Sequence, residues 1–150
     1  MEKLNSWLAL IANLGVIAGI VFLGFEIRQS STSIETAAYQ DLIGRIVEIN
    51  MATATDEELT TVVRAASAGG ELSDSDGFRY RIYLVSWIRH ADLAYFLYER
   101  GVITEERLRS TLSPLTTILA NNRAKEIWLT LKSRESFSSE FFDYIDRFLQ

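Results

Sequence analysis

The run from Leu4 to Phe25, LNSWLALIANLGVIAGIVFLGF, contains no charged residue, and only Asn5, Ser6 and Asn13 in it are clearly polar. As a helix it would be about 33 Å long, against about 30 Å for the hydrocarbon core of a bilayer. Trp7 stands where an interfacial anchor belongs. Glu2 and Lys3 before the run, and Glu26 and Arg28 after it, mark the water boundaries. The uncharged length sets the run apart from the core helix of a soluble domain. A cleaved signal peptide would have a shorter apolar core and small residues before the cut, whereas this run ends in Gly24-Phe25-Glu26-Ile27-Arg28. Residues 4–27 are therefore expected to form a retained transmembrane helix, with membrane lipid as its surroundings.

Gly15 and Gly19 make a GxxxG within this segment, and Leu8, Ala12, Phe22 and Glu26 fall on the same stripe at helical spacing. Small side chains let two helix backbones approach closely, a principal source of attachment in lipid. Ala12, Gly15 and Gly19 are the expected helix-association residues, and a homo-oligomer the expected assembly. Asn13 lies on another side of the helix, where it would bond within its own helix or, in a ring, across a second contact or into a wet lumen. Glu26 and Arg28 sit at the membrane boundary. A symmetric assembly would repeat the Glu26 carboxylate, and such rings attract cations, although a solvated helix end paired with Arg28 explains it more simply. Asn13, Glu26 and Arg28 are thus the polar or pore-contact candidates.

The 150 residues carry 15 basic and 20 acidic side chains, and the net charge of −5 belongs wholly to the part after Arg28. Nucleic acid is not an expected partner, because phosphate binding relies on clustered Lys and Arg. There is no cysteine, hence no disulfide and no thiolate chemistry.

Residues 33–150 read as an all-α bundle of about five or six helices. Gln29 to Thr36 is either a hinge or further turns of the first helix. Tyr39, Leu42, Ile46 and Ile49 recur at helical spacing, with Arg45 in pairing range of Asp41 and Glu48, and Gly44 allows close approach or tolerates weakness. Thr55 to Glu58 has the capping-box form, with Leu59, Val62, Val63 and Ala66 as the following apolar face, and Gly69-Gly70 ends that helix. Asp74 and Asp76 superficially resemble a calcium loop, but Leu72 and Tyr83 occupy the positions of the first and the bidentate acidic ligands. A helix capped by Ser73 or Ser75 is expected instead. Phe78 to Arg100, apolar on nearly every side and stopped at Gly101, should be the central helix. Thr104 begins the next, Ser113-Pro114 restarts it, and Asn121 or Asn122 caps another bearing Ala124, Ile127, Trp128 and Leu131. The last starts at Ser138 with Phe137 and Phe142 as a hydrophobic staple, burying Phe141, Ile145, Phe148 and Leu149.

Chemistry has little to stand on. His90 is the only histidine, and HExxH, GxxxxGK and GxGxxG are absent. Ser86 lies one turn before His90, but Asp92 projects to another side, which argues against a triad. Arg89 and Asp92 are spaced for an ion pair at the edge of the core. The aromatic residues Tyr80, Tyr83, Trp87, Tyr95, Tyr98 and Trp128 read as core rather than as a stacking pocket. No catalytic residue, metal site or cofactor is expected, and the chain is not read as an enzyme.

LIANLGVIAGIVFLGFEIRQS, YERGVITEERL from Tyr98 to Leu108 and SFSSEFFDYID near the end together resemble a pattern in uncharacterised bacterial membrane proteins. In that pattern an N-terminal span leaves the bilayer through Glu-x-Arg-Gln, here Glu26, Arg28 and Gln29, ahead of a small helical domain. Ser30 stands where the pattern has Asn. The resemblance implies a bacterial inner-membrane location and carries over no catalytic residue. The functional expectation is a single-pass homo-oligomeric scaffold or interaction module, with a homo-oligomeric channel or solute-conducting ring as the alternative.

Overall fold

A computed structural model describes the backbone of residues 2–150 and the side chains of residues 7, 8 and 11–150. The expectations placed on the side chains of Glu2, Lys3, Leu4, Asn5 and Ser6 lie outside the described residues. Among the described residues the fold is all-α, with six helices and no strand: α1 (Glu2–Thr55), α2 (Glu57–Ser67), α3 (Asp74–Glu99), α4 (Glu105–Ile118), α5 (Asn122–Ser133) and α6 (Ser139–Phe148). The chain divides into two units, Met1–Ala37 and Ala38–Gln150.

From Leu14 to Phe25 α1 is apolar around its whole circumference. Leu14, Ile17, Ile20, Phe22 and Phe25 are all more than half exposed. An 18-residue window within Ile11–Thr55 has a mean hydropathy of 1.7 and none of it is buried, so α1 is long and apolar enough to cross a membrane. The Ser/Thr-rich stretch after Arg28 continues the helix. Its hydroxyls donate to the carbonyl four residues back: Ser31 to Ile27, Thr32 to Arg28, Ser33 to Gln29 and Thr36 to Thr32, at 2.8–3.0 Å. Side chains that otherwise compete with helical backbone are thereby satisfied inside the helix. The amphipathic helix expected around Tyr39 to Ile49 is accordingly part of α1 and not a separate element.

The second unit is a bundle built around α3. Leu84, Ile88, Ala91 and Ala94 of α3 pack with Leu108, Leu112 and Leu115 of α4, Trp128 of α5 and Phe141 and Ile145 of α6, all 5% exposed or less. α1 adds Leu42, with Ile46 and Ile49 half-buried beside it. Val62, Ala66 and Tyr80 make a smaller cluster between α2 and α3. The buried positions of α3 fall on several sides, which fits a central helix.

Helix starts follow local rules, with informative departures. Ser73, Thr104, Asn121 and Ser138 all cap, each side chain accepting from a backbone N–H two or three residues on. Phe137 and Phe142 meet at 5.8 Å, as a staple requires. The α2 cap, however, is Asp56 and not Thr55: Asp56 accepts from the Leu59 N–H at 3.0 Å, while the Thr55 hydroxyl donates to the Met51 carbonyl at 2.7 Å as the last residue of α1. Glu58 does not complete a capping box but pairs with Arg79 of α3. Nor does Pro114 restart a helix; it lies inside α4. The carbonyl it leaves without an intrahelical partner belongs to exposed Ser110. Leu149 caps the end of α6 and is 36% exposed, not buried. Gly69 and Gly101, both with φ near +70°, terminate α2 and α3 in the left-handed turn that only glycine adopts without strain.

Candidate functional site

The residues expected to associate helices, Ala12, Gly15 and Gly19, all lie exposed on α1. A methyl group added to Gly15 or Gly19 would meet nothing within 4 Å, so within one chain their bare backbone is open to a neighbour. Asn13, Glu26 and Arg28 are exposed on the same helix, and at about 100° per residue Asn13 points well away from the glycines. Gly44, further along α1, likewise has nothing within 4 Å of an added methyl.

In the helical domain the polar side chains of interest serve packing. Ser86 donates to the Ile82 carbonyl at 3.0 Å and Arg89 reaches Asp92 at 3.6 Å, so neither Ser86 nor Asp92 engages His90. Burial pushes the Asp92 carboxyl up, against the opposing pull of Arg89. Arg89 also places its guanidinium 4.0 Å from the centre of the Phe137 ring and donates to the Ser136 carbonyl at 3.3 Å. One exposed arginine thus ties α3 to the loop before α6, a contact that its spacing from Asp92 does not reveal.

His90 is 4% exposed, and neither ring nitrogen has a hydrogen-bond partner. Its ring meets Trp87 edge to face at 6.4 Å, and the Trp87 Nε1 is also without a partner. Burial favours the neutral imidazole and holds its pKa below the usual 6.5; Arg45 of α1 acts in the same direction and Asp41 in the opposite one. Arg45 is itself paired to Asp41 at 2.8 Å.

Several other aromatic residues of the domain form core contacts. Tyr95 lies 5.0 Å from Tyr144 and 5.8 Å from Phe141, and Trp128 meets Phe142 at 4.9 Å. Burial, helped by donation to Glu99, pushes the Tyr95 hydroxyl up to about 12. The Trp128 Nε1 donates to Asp146 at 3.0 Å, and Lys132 binds the other Asp146 oxygen. Asn121 works twice: its oxygen caps α5, and its amide nitrogen donates to the Ala66 carbonyl at 2.9 Å, joining α5 to the end of α2. Arg123 reinforces this joint by donating to the Gly70 carbonyl at 2.8 Å. Among the described residues no group of three or more His, Asp or Glu is placed to hold a metal ion.

The domain's surface does carry a concave feature. Between the end of α1, the start of α2 and the first half of α3 runs an open groove of about 480 Å³. Its walls are Ile49, Leu59, Tyr83, Phe78 and Ile82, and the Glu58–Arg79 pair stands on its rim. Phe78 is 65% and Ile82 54% exposed. Periodicity in the sequence marks both as apolar helix positions, but no local signal tells that nothing covers them. Comparisons with protein-family models, with curated proteins and with solved structures found no match to this chain.

Proposed function

We propose that this chain is a single-pass membrane protein whose N-terminal helix lies in the bilayer and self-associates, so that several copies present the helical domain as an interaction surface. The observation that carries the reading is the exposure of an entire apolar helix circumference, from Leu14 to Phe25, which water would leave uncompensated and lipid accepts. Ala12, Gly15 and Gly19 provide the small-residue contact, and their open surroundings support it. Trp7 anchors one end, and Glu26 with Arg28 the other. The bacterial inner membrane as the location rests on the resemblance of residues 10–30, 98–108 and 136–146 described above.

The mass of the full-length assembly in nonionic detergent tests this. An oligomer that Gly15→Ile/Gly19→Ile dissociates supports the proposal. A monomer, or an oligomer of unchanged size in that variant, removes it. So does a full-length chain recovered monodisperse from broken cells in plain buffer. Ion flux through liposomes carrying the protein, altered by Glu26→Gln, would replace the scaffold with a conducting ring through Asn13 and Glu26.

A further inference from the structure

Phe78 and Ile82 stand one turn apart on α3, both more than half exposed, in the wall of a groove that Ile49, Leu59 and Tyr83 also line. Adjacent large apolar side chains flanking a concavity on a folded domain mark a contact surface more often than an isolated exposed leucine does. Acids outnumber bases around them: residues 56–82 hold Asp56, Glu57, Glu58, Glu71, Asp74 and Asp76 against Arg64, Arg79 and Arg81, a net of −3. Asp56, Glu57 and Glu58 begin α2, and Asp74 and Asp76 begin α3. These acids have a local reason at helix N-termini, but the potential they sum to faces outward regardless. A neighbouring hollow, where Glu57, Glu58, Glu71 and Asp76 stand against Arg79, extends the predominantly acidic surface beyond the groove.

We propose that the groove between α1, α2 and α3 receives a basic amphipathic helix of a partner protein. Its apolar face would cover Phe78 and Ile82, and its Lys or Arg residues would meet the acids of α2 and α3. Side chains at spacings of three and four suit an open apolar groove of this size. A second copy of this chain is the poorer fit, because like acidic surfaces repel. An anionic bilayer surface is poorer for the same reason. The inference rests on the scaffold reading, since it names what the presented surface takes.

The test uses the full chain in nonionic detergent, with a fluorescent Leu/Lys amphipathic helix about 18 residues long as probe and the same pattern in Leu/Glu as control. The Leu/Lys helix should bind, lose affinity with added salt, and cross-link to benzoylphenylalanine at position 82 but not at exposed position 129. Phe78→Ser/Ile82→Ser and Glu57→Lys/Glu71→Lys, all at exposed positions, should each weaken binding about tenfold. Equal binding of the Leu/Glu helix, unchanged binding by both variants, or cross-linking of position 82 to another copy of the chain overturns the proposal. Gly15→Ile/Gly19→Ile keeps the two readings apart: it should change the size of the assembly and leave probe binding intact.

Discussion

Ile17 and Ile88 are the same residue in the same secondary structure, yet Ile17 is 58% exposed and Ile88 fully buried. The contrast holds across the two units. In residues 11–27 the apolar side chains surround α1 and none is covered, whereas in residues 38–150 most of them are gathered into a main core and a smaller cluster. A helix that is apolar all round needs lipid or protein around it, while one apolar toward its neighbours needs only those neighbours. The same side chain should therefore matter to domain stability in one unit and to assembly or insertion in the other.

The strongest way to break this comparison is to truncate an aromatic side chain in each unit. Phe141→Ala, at a fully buried site touching Trp128, Phe137 and Tyr95, should destabilise the domain by about 3–5 kcal/mol, read from denaturant unfolding of the full chain in detergent. Phe22→Ala, at a position 62% exposed, should leave that transition in place. Equal effects would mean that α1 is covered by protein and not by lipid.

Next in size is His90. Unfolded chains bind the proton near pH 6.5, whereas the folded pKa is lower, so stability should fall as pH drops from about 6.5 through the folded value and level off below it. His90→Leu removes two buried nitrogens that lack partners and should raise stability by about 2 kcal/mol while flattening that pH dependence. A slope that persists in the variant assigns it to another group.

Asp146 should give a pH dependence of the same sign at lower pH, with the opposite effect of substitution. Burial pushes its carboxyl up, but the hydrogen bonds from Lys132 and Trp128 outweigh this and leave it below the ordinary 3.8. Its contribution is therefore present above the ordinary carboxylate range and lost as pH falls through the folded value. Being 37% exposed, it is partly screened by water. Asp146→Ala should cost about 1.5 kcal/mol, chiefly by leaving the buried Trp128 indole without an acceptor. The smallest effect is expected for a cap: Ser138→Ala should lower the unfolding free energy by about 1 kcal/mol.

Features that depend on residues within about four positions were legible in advance. The caps at Ser73, Asn121 and Ser138, the Phe137–Phe142 staple, the stop at Gly101 and the Arg45–Asp41 pair are of this kind. Where the local reading and the structure differ, two short-range options competed. Thr55 is a good cap by type, but its hydroxyl is satisfied within α1, and Asp56 takes the role. Ser and Thr after Arg28 allow a hinge, but back-bonding to carbonyls makes continuation equally available. Proline at position 114 is tolerated because the carbonyl it strands is on an exposed residue. Of the candidate site residues, Ala12, Gly15, Gly19, Asn13, Glu26 and Arg28 could be placed on one helix from spacing alone, whereas the groove at Phe78 and Ile82 could not.

The amino-acid order by itself determined the all-helical character, several helix ends and the uncharged length at the start of the first, because helix hydrogen bonds, caps and hydropathy are set within a few residues. Only the tertiary structure decided which apolar side chains are covered. Phe78 lies open and Phe141 is buried, Arg89 stacks on Phe137, and the Asn121 amide closes onto α2. Each of these is a relation between groups tens of residues apart, set by how the helices pack and not by any property of the residue itself.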